Sequence, residues 1–314
     1  MEVIRKGEQV RWHLHGWNTA RVVNLARWGI THFPRPLSDG IGHVGSWLAF
    51  RAMKEATAAL MDNQRVVAPD LGERDLRALA LRTYRSYASE QADLLRCLAM
   101  NPRDVRSLLS PLSDFDPVRI TGGGTLVVTG HLGNVELAGV MLRVLFDDPL
   151  TAVVLPERDV RVNDLRREMR ASFGIESLEV RRAVDTALRI RRLLAENRVV
   201  ALVADRALGR DRVVVEFFGR PTGFLRSPAL MGYATGAPLV PAFILRQPDG
   251  GYAGFASDPI YVARTGDRDA ALQAAMQAFA RVLEQHVRAY PHLWYQFYPY
   301  WGGPGERRSP APER

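Results

Sequence analysis

Among the side chains of this 314-residue chain that can move protons, His131 and Glu136 have the most telling setting, Thr129-Gly-His-Leu-Gly-Asn-Val-Glu-Leu-Ala-Gly139. The apolar run Thr125 to Thr129 ends there and a helical pattern begins, so His131 is expected at the carboxyl end of a strand. Crevices at such strand ends are where open α/β sheets bind ligands. Five positions apart, the two side chains would lie on different faces of one continuous helix, because helical neighbours fall three and four apart. A turn at Gly133 with Asn134 as N-cap instead puts Glu136 in the first helical turn, with His131 just ahead of it. The carboxylate then bonds one ring nitrogen, fixes the tautomer and raises the basicity of the other, which makes a general base. On spacing alone the plainer reading is the stronger: a lone histidine and a glutamate that merely suits the helix dipole.

Other chemistries find little support. A single cysteine, Cys97, excludes a disulfide framework and a cysteine-rich metal site, fits a reducing cytoplasmic compartment, and sits on an apolar helical face as a core residue would. No Gly-x-Ser-x-Gly elbow is present. No metal or other cofactor is expected, because His13 and His15, like His286 and His292, lack ligand spacing. Gly122-Gly-Gly124 lacks the Gly-Lys-Ser/Thr ending of a phosphate loop and reads as a turn. The net charge of +8 is almost all arginine, with lysine only at Lys6 and Lys54. Arginine suits phosphate and carboxylate recognition, although high-GC codon usage produces the same bias. Without a recognition module, and with the arginines spread out, nucleic acid is not an expected partner.

The elements that must position these residues fall into two regions. The first hundred residues read as helices, at Val10–Phe33, Ser46–Met61 and Glu73–Leu98. Trp12, Trp17, Trp28 and Trp47, four of the six tryptophans, lie here. They suit a membrane interface and helix packing about equally. From Thr125 onward, short apolar runs (Thr125–Thr129, Thr151–Leu155, Val199–Ala204, Leu239–Leu245) alternate with helical stretches. The helices are expected at Val135–Leu145, Val162–Phe173, Ala183–Glu196 and Pro228–Thr235, with a last one over Asp267–Tyr290. Such alternation predicts an α/β fold, a central largely parallel sheet flanked by helices, with an N-terminal helical region. The expected divisions are residues 1–115 (helical, membrane-facing), 116–301 (α/β core) and 302–314, a Pro- and Arg-rich disordered tail. The helices are expected to pack onto the sheet as one unit. The stretch Met1 to Trp12 is polar and charged, so no signal peptide is expected. The uncharged run Ser227–Leu245 is broken by Pro and Gly, and reads as a buried helix and then a core strand.

Gly130-His131-Leu-Gly-Asn134-Val-Glu136 resembles the His-x4-Asp/Glu motif of the lysophospholipid acyltransferase superfamily. It is closest in wording to the bacterial branch of lipid A acyltransferases and phosphatidylinositol mannoside acyltransferases. Further blocks match in order: Leu155-Pro-Glu157-Arg158, Ala204-Asp205-Arg206, Val213 to Pro221 with Phe217-Phe218-Gly219, Gly236 to Pro241, and Pro291-His-Leu-Trp294-Tyr-Gln-Phe297. The resemblance covers residues 80–301 or so. The Phe115–Thr125 stretch is shorter than the family's usual segment, and the membrane-spanning start of many lipid A acyltransferases is not evident.

The resemblance implies transfer of an acyl chain from a thioester, acyl-CoA or acyl carrier protein, to a hydroxyl of a membrane glycolipid or lysophospholipid. His131 would be the base and Glu136 its orienting carboxylate. Asn134, Glu157, Arg158, Asp205, Arg206 and Arg220 would face substrate, the arginines toward its phosphates. Surface ion pairs of Glu157 with Arg158 and of Asp205 with Arg206 are the plainer account of those residues. The stripe Arg161, Arg166, Arg167 and Arg170 reads as a solvated face. The protein would sit peripherally on the cytoplasmic face of the cell membrane, an anionic surface its partner. The alternatives are a lipid-binding protein that keeps the fold without turnover and, more weakly, a thioesterase-like hydrolase.

Overall fold

A computed structural model describes residues 20–97, 100, 102–109, 123–145, 149–156 and 160–301. The expectations for Trp12, Trp17, Glu157, Arg158 and the 302–314 tail fall outside these residues. In chain order the elements are α1 (Ala20–His32), α2 (Arg35–Ala52), α3 (Lys54–Val67), α4 (Glu73–Cys97), α5 (Pro102–Ser107), β1 (Thr125–Thr129), α6 (Val135–Leu145), β2 (Leu150–Val154) and α7 (Val160–Ser172). There follow β3 (Ile175–Glu179), α8 (Ala183–Ala195), β4 (Val199–Val203), β5 (Val213–Phe217), β6 (Arg220–Phe224), α9 (Ser227–Thr235), β7 (Leu239–Arg246), β8 (Tyr252–Ala256) and α10 (Arg268–Ala289).

The main sheet runs β3-β2-β4-β1-β7-β8. All its neighbours are parallel except β8, which returns antiparallel along β7. Strands β1 and β7 are buried almost throughout because helices cover both faces, which is why they read as continuous apolar runs. One apolar layer sits between the sheet and α8, α9 and α10, and a second under α6 and α7. The Ser227–Leu245 run is indeed a helix followed by a strand. No helix among the described residues is long and apolar enough to cross a membrane.

The structure departs from the sequence reading at several elements, and α5 and β8 are additional to it. The helix expected over Ser46–Met61 is the end of α2 and the start of α3, divided at Met53. No Pro or Gly marks the break. The Thr57 hydroxyl donates to the Phe50 carbonyl left over at the end of α2 and also meets the Tyr84 hydroxyl of α4, so a tertiary contact stabilises the corner. Strand β3, Ile-Glu-Ser-Leu-Glu, was not anticipated because it is an edge strand with one fully buried residue. The hairpin β5–β6 was read only as a motif block. Phe218 and Gly219 both adopt positive φ (53° and 69°), the pair of left-handed residues a two-residue hairpin turn requires. Phe218 tolerates this because its N–H donates to Glu284 of α10 and its ring packs on Phe217, Trp294 and Trp301.

Candidate active site

Parallel register brings the site together. Thr129 ends β1 opposite Val203 at the end of β4, and the Ala204 N–H continues the ladder to the Thr129 carbonyl. Two residues farther along each chain lie His131 and Asp205. The His131 ring, through Nδ1, bonds Asp205 Oδ1 at 2.6 Å, while the His131 backbone N–H donates to Oδ2 at 2.9 Å. Asp205 is fully buried, and the His131 side chain is 30% exposed. An ionised carboxylate only accepts, so Nδ1 carries the ring proton and Nε2 presents its lone pair.

This geometry corrects the expected pairing, because the carboxylate on the His131 ring is Asp205 and not Glu136. Glu136 points to α7, where Arg170 Nε donates to Oε2 at 2.8 Å, Arg170 Nη2 bonds Oε1, and Arg166 lies 3.8 Å away. Arg170 is buried and also donates to Ser177 of β3, so the arginine stripe is not wholly a solvated face. Arg167 alone of these pairs with Asp164 on the exposed side. Asn134 is the N-cap expected: its Oδ1 accepts from the N–H groups of Glu136 and Leu137, and its Nδ2 donates to the Glu90 carbonyl. Its amide is thus committed to structure. Gly133 takes φ 69°, and a Cβ there would come within 3.0 Å of the Ile244 carbonyl, so glycine is required in this turn.

Arg206 donates to Gln296 Oε1 at 2.6 Å and lies over the Tyr298 ring at 4.9 Å. Arg220 is exposed and stacks 5.7 Å from Trp301, outside the dyad's own contacts. Sequence reasoning missed the part played by the segment after α10. There Tyr295 N–H donates to the His131 carbonyl, and Gly133 N–H to the Leu293 carbonyl. The Tyr300 hydroxyl donates to the Asp205 carbonyl at 2.6 Å, and the buried Gln296 amide reaches Asp205 Oδ2 at 3.4 Å. The motif Pro291 to Phe297 was the available signal; nothing local said which strand ends it would bind. The Phe-Phe-Gly block is the aromatic wall behind the site, with Phe217 against Phe224, Trp294, Tyr300 and Trp301.

Burial, and then the nearby Arg206 charge, hold the His131 pKa below its ordinary 6.5, and the bond to Asp205 opposes them only in part. Burial alone would raise Asp205, but the His131 contacts and Arg206 outweigh it and keep the carboxylate low. The imidazole is therefore neutral at pH 7 with a charged partner, the state a general base needs. Cys97 is buried and its thiol is pushed up to about 12 by burial, so it is core and not a nucleophile.

The family model described as bacterial lipid A biosynthesis acyltransferase matches residues 5–302. A phosphatidylinositol mannoside acyltransferase of Mycobacterium tuberculosis (strain CDC 1551 / Oshkosh) is 27% identical over 282 residues, covering 82% of this chain and 87% of that protein. One from Mycolicibacterium smegmatis is 29% identical over 285 residues, covering 83% and 90%.

Proposed function

The chain belongs to the bacterial lipid A biosynthesis acyltransferase family, and from that premise we propose that it moves an acyl chain from a thioester of CoA or acyl carrier protein to a hydroxyl of a membrane glycolipid. The 2.6 Å contact between His131 and Asp205 at the ends of two parallel strands carries this reading. His131 Nε2 takes the proton of the acceptor hydroxyl as its oxygen attacks the thioester carbonyl. Asp205 stabilises the imidazolium that forms and holds the ring in its tautomer. The tetrahedral intermediate collapses with departure of the thiolate, which takes the proton from His131. A thiolate leaves readily, its parent thiol having a pKa of about 8.5, so one His–carboxylate pair suffices and no acyl-enzyme forms. Because His131 is held below 6.5, the acid limb of kcat/KM should fall below that of a free imidazole. The pH–rate profile with lauroyl-CoA as donor and octyl glucoside as acceptor checks it, and a limb above 6.5 would show that another group is the base.

The lipid acceptor is met along α1 and α2. Eight of the fourteen exposed large hydrophobic residues described lie between Leu25 and Leu48. Leu37, Ile41, Val44 and Leu48 follow at helical spacing along one side of α2, while the small residues Ser46 and Ala49 face the protein. The apolar stripe is thus turned outward, as in a helix that lies in a lipid interface. Trp28 and Trp47 are exposed beside it, with Arg27 and Arg51 also exposed. Replacing Leu37, Ile41, Val44 and Leu48 by Ser should weaken sedimentation with anionic vesicles roughly 10²–10³-fold, at about 1 kcal/mol for each half-inserted side chain. Unchanged sedimentation would move the membrane face elsewhere.

A further inference from the structure

Beside the proposed dyad lies a residue whose two ends do opposite work. Gln296 is fully buried in the segment after α10. Its Oε1 accepts from Arg206 Nη2 at 2.6 Å, and because a guanidinium can only donate, this fixes the amide orientation. The Nε2 end then faces Asp205 Oδ2 at 3.4 Å, the oxygen that also accepts the His131 backbone N–H. The Gln296 backbone carbonyl accepts from Asn63 Nδ2 of α3 at 2.9 Å, and Asn63 Oδ1 accepts the Tyr300 N–H, so the main chain at and after Gln296 is anchored. One amide therefore spans the anion and the cation that act on His131 in opposite directions.

We propose that Gln296 is a positioning residue for the reaction, holding the Asp205 carboxylate and the Arg206 guanidinium in a fixed row beside His131. This rests on the His131–Asp205 reading and adds to it the requirement for a neutral group that donates at one end and accepts at the other. A hydrocarbon of the same size would release both charges. A carboxylate would keep the bond to Arg206 but set a second negative charge against Asp205, favouring the protonated imidazole.

The test uses the full chain, with lauroyl-CoA as donor, octyl glucoside as acceptor and thiol release as the readout. Gln296→Met should lower kcat about tenfold or more while KM for each substrate stays within about twofold, since no substrate contact is lost. Gln296→Glu should lower kcat and move the acid limb of the pH profile upward by roughly half a unit or more. A variant that melts cooperatively yet keeps the wild-type kcat and an unmoved limb overturns the proposal. Failure of both variants to fold overturns it as well, because Gln296 is then a core tie only. His131→Ala and Asp205→Asn, measured alongside, separate the two ideas. If they stay active, the dyad reading fails; if they are inactive while both Gln296 variants behave as wild type, only the present proposal does.

Discussion

Asp205→Asn should lower kcat by roughly two to four powers of ten, close to the loss in His131→Ala, while leaving the melting temperature nearly unchanged. The amide keeps the size and most of the hydrogen bonding of the carboxylate. It cannot stabilise an imidazolium, and its NH2 group can turn the imidazole into the wrong tautomer. Glu136→Gln should do the reverse. It removes the charge from a pair in which Arg170 is 6% and Glu136 16% exposed. Breaking a buried pair leaves the arginine uncompensated and costs about 3 kcal/mol, visible as a lower melting temperature. The kcat of its folded protein should stay within about tenfold of wild type, because Glu136 does not touch the His131 ring. Activity assays paired with thermal melts of the three variants decide the matter. Normal turnover in folded Asp205→Asn, or a dead but fully stable Glu136→Gln, would return the orienting role to Glu136.

A second large effect is expected at Glu90. This α4 side chain is fully buried behind the His131 turn, with Tyr295 Oη donating to its Oε2 at 2.6 Å. Burial pushes its pKa up to about 8; the Tyr295 bond and the Arg246 charge of β7 oppose this, and Asp93 adds to it. The carboxyl is therefore largely protonated in the folded protein at pH 7. Below pH 4.5 folded and unfolded chains both hold the proton and ionisation costs nothing. As pH rises from 4.5 to about 8 only the unfolded chain ionises, so stability is lost across that window and the full penalty stands above it. Glu90→Gln keeps the shape and an acceptor for Tyr295 but never ionises. It should match wild type near pH 4 and exceed it by roughly 3–5 kcal/mol at pH 8 and above, at 1.36 kcal/mol per pKa unit. Denaturant melts at the two pH values measure this. A stability difference that does not change with pH would show that Glu90 is ionised in its pocket.

Much of the architecture was legible because it depends on local pattern. Strand β1 and helix α6 have the bounds their apolar runs and cap predicted. Asn134 does what an Asn before a helical pattern does, whatever surrounds it. What escaped was local structure stabilised from a distance. The Met53 corner depends on Thr57 meeting Tyr84, and β3 depends on having β2 beside it. Arg170 looked like one of four surface arginines because helical spacing does not show that its side chain enters the layer between α6 and β3.

Local pattern was enough to place a histidine where a strand turns into a helix, an asparagine as the cap of that helix, and an Asp-Arg pair after another buried strand. Which carboxylate meets the imidazole follows from the fold. Glu136 is nearer in the chain, yet the helix it begins carries its side chain toward α7. Asp205 lies seventy-four residues on from His131, yet β4 pairs in parallel with β1, and the match of Thr129 with Val203 carries both chains to the same level two residues later. Strand order is a property of the whole sheet, set by which apolar faces the helices cover, and no local spacing encodes it.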